Sequence, residues 1–195
     1  MMIPFYSSLM ELNINLFYFI NINLQNSFFN FLMPLITDLG TLPFVLILCL
    51  IILEYGLFKK DKKIMKLAIL GLIALLFPVI ITYLLKILVG EPRPFVSLAN
   101  VHLLVIETDP NSFPSGHTSN SFALAIGIGL NWEIKIKQRS IKLAWFLIPI
   151  ASIIGFSRIY IGVHYPFDVI TGAIIGIIGG LLATKIGNSY LKNCE

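Results

Sequence analysis

The sequence predicts an all-α fold, a polytopic transmembrane helical bundle of about five to six spans with an interfacial helix at its N-terminus. Two observations carry this. Hydrophobic residues make up 57% of the 195-residue chain and charged residues only 12%, about half the charge of an ordinary soluble domain. The apolar residues also fall in runs close to the ~20 residues that a helix needs to cross a bilayer. The length favours a single membrane-embedded domain over 1–195.

Residues 1–27 carry Asn13, Asn15, Asn21, Asn23 and Asn26 among Leu, Ile, Phe and Tyr. So many amides are costly in hydrocarbon, and the segment reads as a surface-lying helix. It lacks the cationic start and small-residue cleavage site of a removable signal peptide. The first span is expected over Thr41–Phe58, with Phe28–Leu39 leading into it through a bend at Gly40 and Pro43. Further spans are expected over Ile64–Leu85, Thr118–Trp132, Ile141–Ile159 and Phe167–Ile186. The third is short, and upstream residues are expected to extend it.

Charge sets the topology. The link 59–63 is basic (Lys59, Lys60, Lys62, Lys63), as is the link with Lys135, Lys137, Arg139 and Lys142. By the positive-inside rule both face the cytoplasm. The 86–117 and 158–166 segments then face outward, and the C-terminal end, with Lys185 and Lys192, faces inward. The net charge of +4 is thus topological, with no sign of nucleic-acid binding. Cys49 and Cys194 form neither a disulfide framework nor a metal motif. Gly172, Gly176 and Gly180 recur every fourth residue, a pattern of close helix packing.

Ionisable residues are rare here, so their gathering at the outward ends of spans is informative. Lys86 closes the second span, and Arg93-Pro94 follows a Gly-Glu-Pro turn. Alone these are a snorkelling lysine and a loop arginine; together they are two donors able to converge on an anion. Asn111 to His117 open the third span, with Asn111 or Ser112 as the expected cap and Pro114 in the first turn. A helix N-terminus relieved of crowding by Gly116 is a ready anion site. An ordinary capped start explains the proline and serine but not the histidine. Ser157-Arg158 end the fourth span, and His164 and Asp168 lie four apart at the start of the fifth. Asp168 is placed to accept from one ring nitrogen of His164 and leave the other to attack. The Pro-Ser-Gly-His string alone is expected in about one chain per thousand of this length.

The three segments resemble the signature of the type-2 phosphatidic acid phosphatase superfamily, which also includes vanadium-dependent haloperoxidases and bacterial acid phosphatases. Its pattern is a lysine, six residues and Arg-Pro; then Pro-Ser-Gly-His; then Ser-Arg, five residues, histidine, three residues and aspartate. Lys86, Arg93, Pro94, Pro114, Ser115, Gly116, His117, Ser157, Arg158, His164 and Asp168 match every fixed position, over residues 86–168. Unlike the larger membrane members, the chain shows no clear extra N-terminal span. The resemblance implies a lipid phosphatase of the cell membrane with its site on the extracytoplasmic face. His164 would be the nucleophile, Asp168 its orienting partner and His117 the general acid. Lys86, Arg93, Ser115, Gly116 and Arg158 would bind the phosphate, with no metal or other cofactor. The 95–113 loop, with His102, Glu107 and Asp109, is expected to overlie the pocket.

Members of this short kind act on undecaprenyl pyrophosphate, phosphatidylglycerol phosphate, phosphatidic acid or related polyprenyl phosphates, and no motif chooses among them. Transfer of the phosphoryl group to a second lipid stays open as an alternative. A transporter is disfavoured, because the charges sit at one surface and no repeat is visible.

Overall fold

The computed structural model of the protein describes residues 4–190; Cys194 and Lys192 lie outside the described residues. The element order is α1 (Pro4–Tyr18), a π-helical turn (Phe19–Asn23), α2 (Ser27–Asp38), α3 (Leu42–Lys59), α4 (Lys62–Val89), short α5 (Pro94–Ser97), α6 (Gly116–Gly127), the strands β1 (Glu133–Ile136) and β2 (Arg139–Lys142), α7 (Ala144–Tyr160) and α8 (Pro166–Tyr190).

Helices α3, α4 and α8 are long and apolar enough to cross a membrane, and α7 is a shorter apolar helix. Large apolar side chains such as Leu50, Ile51, Leu76, Ile80, Ile174 and Leu181 stay exposed on them, the condition expected of a membrane protein whose outer surface meets lipid. Helix α6 has only 12 residues, about 18 Å at 1.5 Å per residue. It is short because it is central. Thr118 to Ser121 and Ala123 to Gly127 are all buried, so its neighbours, and not lipid, set its length. Inside the protein it also tolerates polar groups: Ser119 and Thr82 of α4 share a hydrogen bond at 3.2 Å.

The Gly172, Gly176 and Gly180 stripe packs α8 onto α6. A Cβ at Gly172 would lie 2.5 Å from the Ser115 carbonyl oxygen, and one at Gly176 would lie 2.3 Å from that of Ser119. Both are closer than atoms can sit, so only glycine lets the two backbones meet.

Two expectations need correction. Residues 28–58 do not form one bent helix: α2 stops at Asp38, and Thr41 opens α3, its hydroxyl donating to Asp38 O at 2.8 Å and accepting from Phe44 N at 3.4 Å. A threonine cap restarts the chain in a new direction where a bend was expected. The fourth span does not begin at Ile141 either: α7 starts at Ala144, and Ile141 belongs to the basic link 133–142. That link forms an antiparallel hairpin pairing Glu133 with Lys142 and Ile136 with Arg139. Its polar–apolar alternation is the period of a strand, overlooked among the helical runs.

The N-terminal asparagines have work to do in protein, not in hydrocarbon. Asn21, fully buried, donates to Tyr160 O (2.8 Å) and His102 O (2.9 Å) and accepts from His102 N (2.9 Å). Asn13 accepts from Phe167 N at 3.0 Å. Backbone groups on both sides of the α7–α8 link are thereby satisfied away from water.

Candidate active site

The three segments meet at one end of the bundle, where α4 and α7 finish and α6 and α8 begin. Local geometry brings them together. Ser115 N donates to Asp168 O at 3.1 Å, tying the start of α6 to the first turn of α8. Ser112 N donates to Glu91 O at 2.7 Å, and Lys86 Nζ to Asn111 O at 2.5 Å, so the two loop ends are fastened to each other.

The cap of α6 is Ser115, not Asn111 or Ser112: its Oγ accepts from Thr118 N at 3.4 Å and shares a 2.9 Å bond with the Thr118 hydroxyl. Pro114 precedes the helix, after a cis peptide bond with Phe113. Gly116 opens the helix, and His117 follows in its first turn.

His164 sits in the α7–α8 link and is 1% exposed. Its Nδ1 lies 3.2 Å from Asp168 Oδ2, and its Nε2 lies 3.2 Å from Arg93 Nη1. A guanidinium can only donate, so Nε2 is the accepting, unprotonated nitrogen and Nδ1–H donates to Asp168. Burial first, then the charges of Arg158, Arg93 and Lys86, holds the imidazole well below its usual 6.5. It is therefore neutral at pH 7, with its lone pair on Nε2. Asp168 Oδ2 is held in turn by Tyr165 N at 2.8 Å and the Ser112 hydroxyl at 2.5 Å.

Arg93 touches Nε2, and Arg158 and Lys86 lie within electrostatic reach of the same ring. Arg93, 2% exposed, donates to Val163 O (2.8 Å) and Asp109 O (2.6 Å). Arg158, also 2% exposed, donates to Thr37 Oγ1 (2.9 Å). His117 lies within electrostatic reach of Arg158, Arg93 and Lys86. Two acidic residues of the preceding loop complete the cluster. Glu107 Oε2 lies 2.9 Å from Arg158 Nη2 and 3.4 Å from Arg93 Nη2. Asp109 Oδ2 lies 2.8 Å from Lys86 Nζ and 3.5 Å from Arg93 Nη2. Burial pushes the Asp109 carboxyl up, but Lys86, the Asn111 amide and Arg93 together hold it below its ordinary value. Glu91, half-buried near Asp168, is pushed up to about 7 by burial and by that charge.

Every site residue singled out in the sequence lies in this cluster or borders it, although the Ser115 hydroxyl is engaged as a helix cap. Sequence reasoning missed Ser112 as a partner of Asp168, and Thr37, which holds Arg158 from 121 positions away. Neither follows a pattern visible along the chain. Asn13 and Asn21 did leave a signal, in being amides where amides are expensive. The arrangement offers a neutral imidazole facing three cations, with a second imidazole close by, suited to attack on a tetrahedral anion.

Comparison with known proteins shows the family. The PAP2 superfamily pattern matches residues 66–190. The chain is 36% identical over 158 residues to an undecaprenyl-diphosphatase, BcrC, of Bacillus subtilis, spanning 81% of this chain and 75% of that one. The crystal structure of Aquifex aeolicus LpxE superposes with a TM-score of 0.73 at 30% identity, covering 89% of this chain and 95% of LpxE. A transmembrane PAP2-type phosphatidylglycerolphosphate phosphatase from Bacillus subtilis shares the fold, with a TM-score of 0.74 at 23% identity over 97% of this chain and 89% of its own. The chain therefore belongs to the PAP2 superfamily, on its membrane lipid phosphatase branch.

Proposed function

We propose that this lipid phosphatase removes the terminal phosphate of a polyprenyl diphosphate such as undecaprenyl diphosphate, through a phosphohistidine on His164. The observation that carries this reading is the unprotonated Nε2 of His164 facing Arg93, with Nδ1 held by Asp168. The substrate class rests on the relative named undecaprenyl-diphosphatase, which the chain matches over most of both lengths.

Nε2 attacks phosphorus, forming the N–P bond as the P–O bond to the lipid leaving group breaks. His117 gives its proton to the departing oxygen, then takes one from the water that hydrolyses the phosphohistidine. Asp168 keeps His164 in the reactive tautomer and stabilises the charge that builds on the ring. Lys86, Arg93 and Arg158, aided by Ser115 and the Gly116 N–H, stabilise the equatorial oxygens of the transition state. The three cations do what a metal pair does elsewhere, so turnover is metal-independent.

The whole chain acts as one membrane-embedded domain. Helices α3, α4, α6, α7 and α8 make five crossings, and α1 and α2 lie across the outer surface over the α7–α8 link. The basic hairpin and the α3–α4 link face the cytoplasm, which puts the site on the extracytoplasmic face. There a lipid keeps its tail in the bilayer while its phosphate enters from the side.

A phosphate-release panel in detergent tests the reading. Excess chelator should leave release unaffected, and a polyprenyl diphosphate should be turned over faster than phosphatidic acid or phosphatidylglycerol phosphate. Loss of activity in chelator, restored by magnesium, would refute the metal-free mechanism. Preference for a glycerolipid phosphate would refute the substrate class.

A further inference from the structure

The phosphate-binding cations are already occupied. Glu107 Oε2 bridges Arg158 and Arg93, and Asp109 Oδ2 bridges Arg93 and Lys86. Two carboxylate oxygens thus stand where a phosphoryl group would place two of its own. The nucleophile is covered as well, since Nε2 of His164 accepts from Arg93. A phosphate cannot share these donors with both carboxylates. Three cations neutralise a dianion readily, but a dianion set against two fixed carboxylates is repelled at short range.

The loop is built to let go. Its first half is pinned: Tyr18 donates to Ala99 O, Asn21 holds both backbone groups of His102, and Leu104 N donates to Ile161 O. Its far end is pinned at Ser112 by Glu91 O. Between the pins, residues 105–110 are half-buried to exposed, with Ile106 96% exposed. Val105 packs on the cluster of Met33, Tyr160, Ile161 and Val163; beyond it, the contacts that draw the stretch inward are those of Glu107 and Asp109 with the cations and of the Asp109 carbonyl with Arg93. The resting arrangement also leaves the seat incompletely filled: Arg158 Nε is buried with no hydrogen-bond partner among the described residues.

We propose that Glu107 and Asp109 are an internal competitor for the phosphate seat, closing the site at rest and swinging out when substrate binds. The proposal rests on the phosphate-binding reading of Lys86, Arg93 and Arg158. A tethered carboxylate acts at a high effective concentration, so every anion must overcome it. A lipid phosphate does so with the added binding energy of its tail in the membrane. Free inorganic phosphate has no such surplus. The returning loop therefore expels product phosphate and keeps the site from being blocked by phosphate in solution.

The test uses the full-length enzyme in detergent, with inorganic phosphate and vanadate as competitive inhibitors. Removing the competitor raises the open fraction and tightens every anion in proportion. The double variant Glu107→Gln, Asp109→Asn should bind both inhibitors at least about tenfold more tightly than wild type. Unchanged or weaker inhibition would overturn the proposal, because it would make the carboxylates neutral to the bound state or part of it. If neither anion inhibits even the double variant, the phosphate-seat reading itself fails, and the two failures are thereby told apart. Hydrogen exchange on wild type decides the matter without a variant. Saturating vanadate should speed exchange of amides 105–111 as the loop leaves; slower exchange would mean that it closes over the ligand, and would overturn the proposal.

Discussion

The two ends of the bundle each carry a cluster of opposite charges, yet they do different things. At the hairpin, Lys142 Nζ and Glu133 Oε1 lie 2.7 Å apart with side chains 46% and 47% exposed. At the site, the Arg158–Glu107 pair is slightly longer at 2.9 Å, but the side chains are 3% and 18% exposed. Distance alone would rank the hairpin pair first. Water reverses the order, because an exposed pair exchanges solvation for contact at little net gain. A guanidinium withdrawn from water needs an anion in its place. Burial, not proximity, separates the two, and the buried cations at the site end are the ones we propose take a phosphate.

That contrast can be broken by mutation, and the largest effect is expected at the nucleophile. His164→Ala should lower kcat by about 10⁶-fold, as removal of a nucleophile does elsewhere, on lipid and aryl phosphates alike. His117→Ala should cost about 10²–10⁴-fold on a lipid phosphomonoester, whose alkoxide leaves badly, and an aryl phosphate, whose leaving group needs little protonation, should restore the first step, read as a burst of released phenol, but not the hydrolysis that follows. If the aryl substrate rescued His164→Ala instead, the roles of nucleophile and acid would be exchanged. Arg158→Lys keeps the charge but loses the fork, and should lower kcat by about 10²-fold. Ser112→Ala removes one hydrogen bond from Asp168 and should cost about tenfold; Lys142→Ala at the opposite end should change neither activity nor melting temperature measurably. An effect of Lys142→Ala as large as that of Arg158→Lys would remove the distinction between the two ends.

Much of this was legible along the chain because hydrophobic runs and paired motifs are local. Lys86, Arg93, His117, Arg158, His164 and Asp168 were found as spaced letters, and the structure brings them to one end of the bundle. The glycine stripe at 172, 176 and 180 was read as packing, and its backbone contacts with α6 agree. What escaped depends on contacts between distant segments. Thr37 and Ser112 are ordinary letters until the fold sets them beside Arg158 and Asp168. Glu107 and Asp109 were read as residues over the pocket, but only coordinates place their carboxylates among the cations. The hairpin escaped because its strands have only four residues each, too few for a period of two to stand out beside the long apolar runs that flank them.

The covalent intermediate is the central claim, and trapping it is the most direct test. Wild-type enzyme mixed with labelled lipid diphosphate or aryl phosphate, then quenched in alkaline detergent within one turnover, should carry label on the protein. The label should survive alkali, be lost in acid, and map to the peptide containing His164. His117→Ala should accumulate it from an aryl phosphate, because loss of the base slows hydrolysis of the phosphohistidine. His164→Ala should carry none. Label on His164→Ala, or hydrolysis by wild type with no labelled protein at any quench time, would contradict the account and point to direct attack by water.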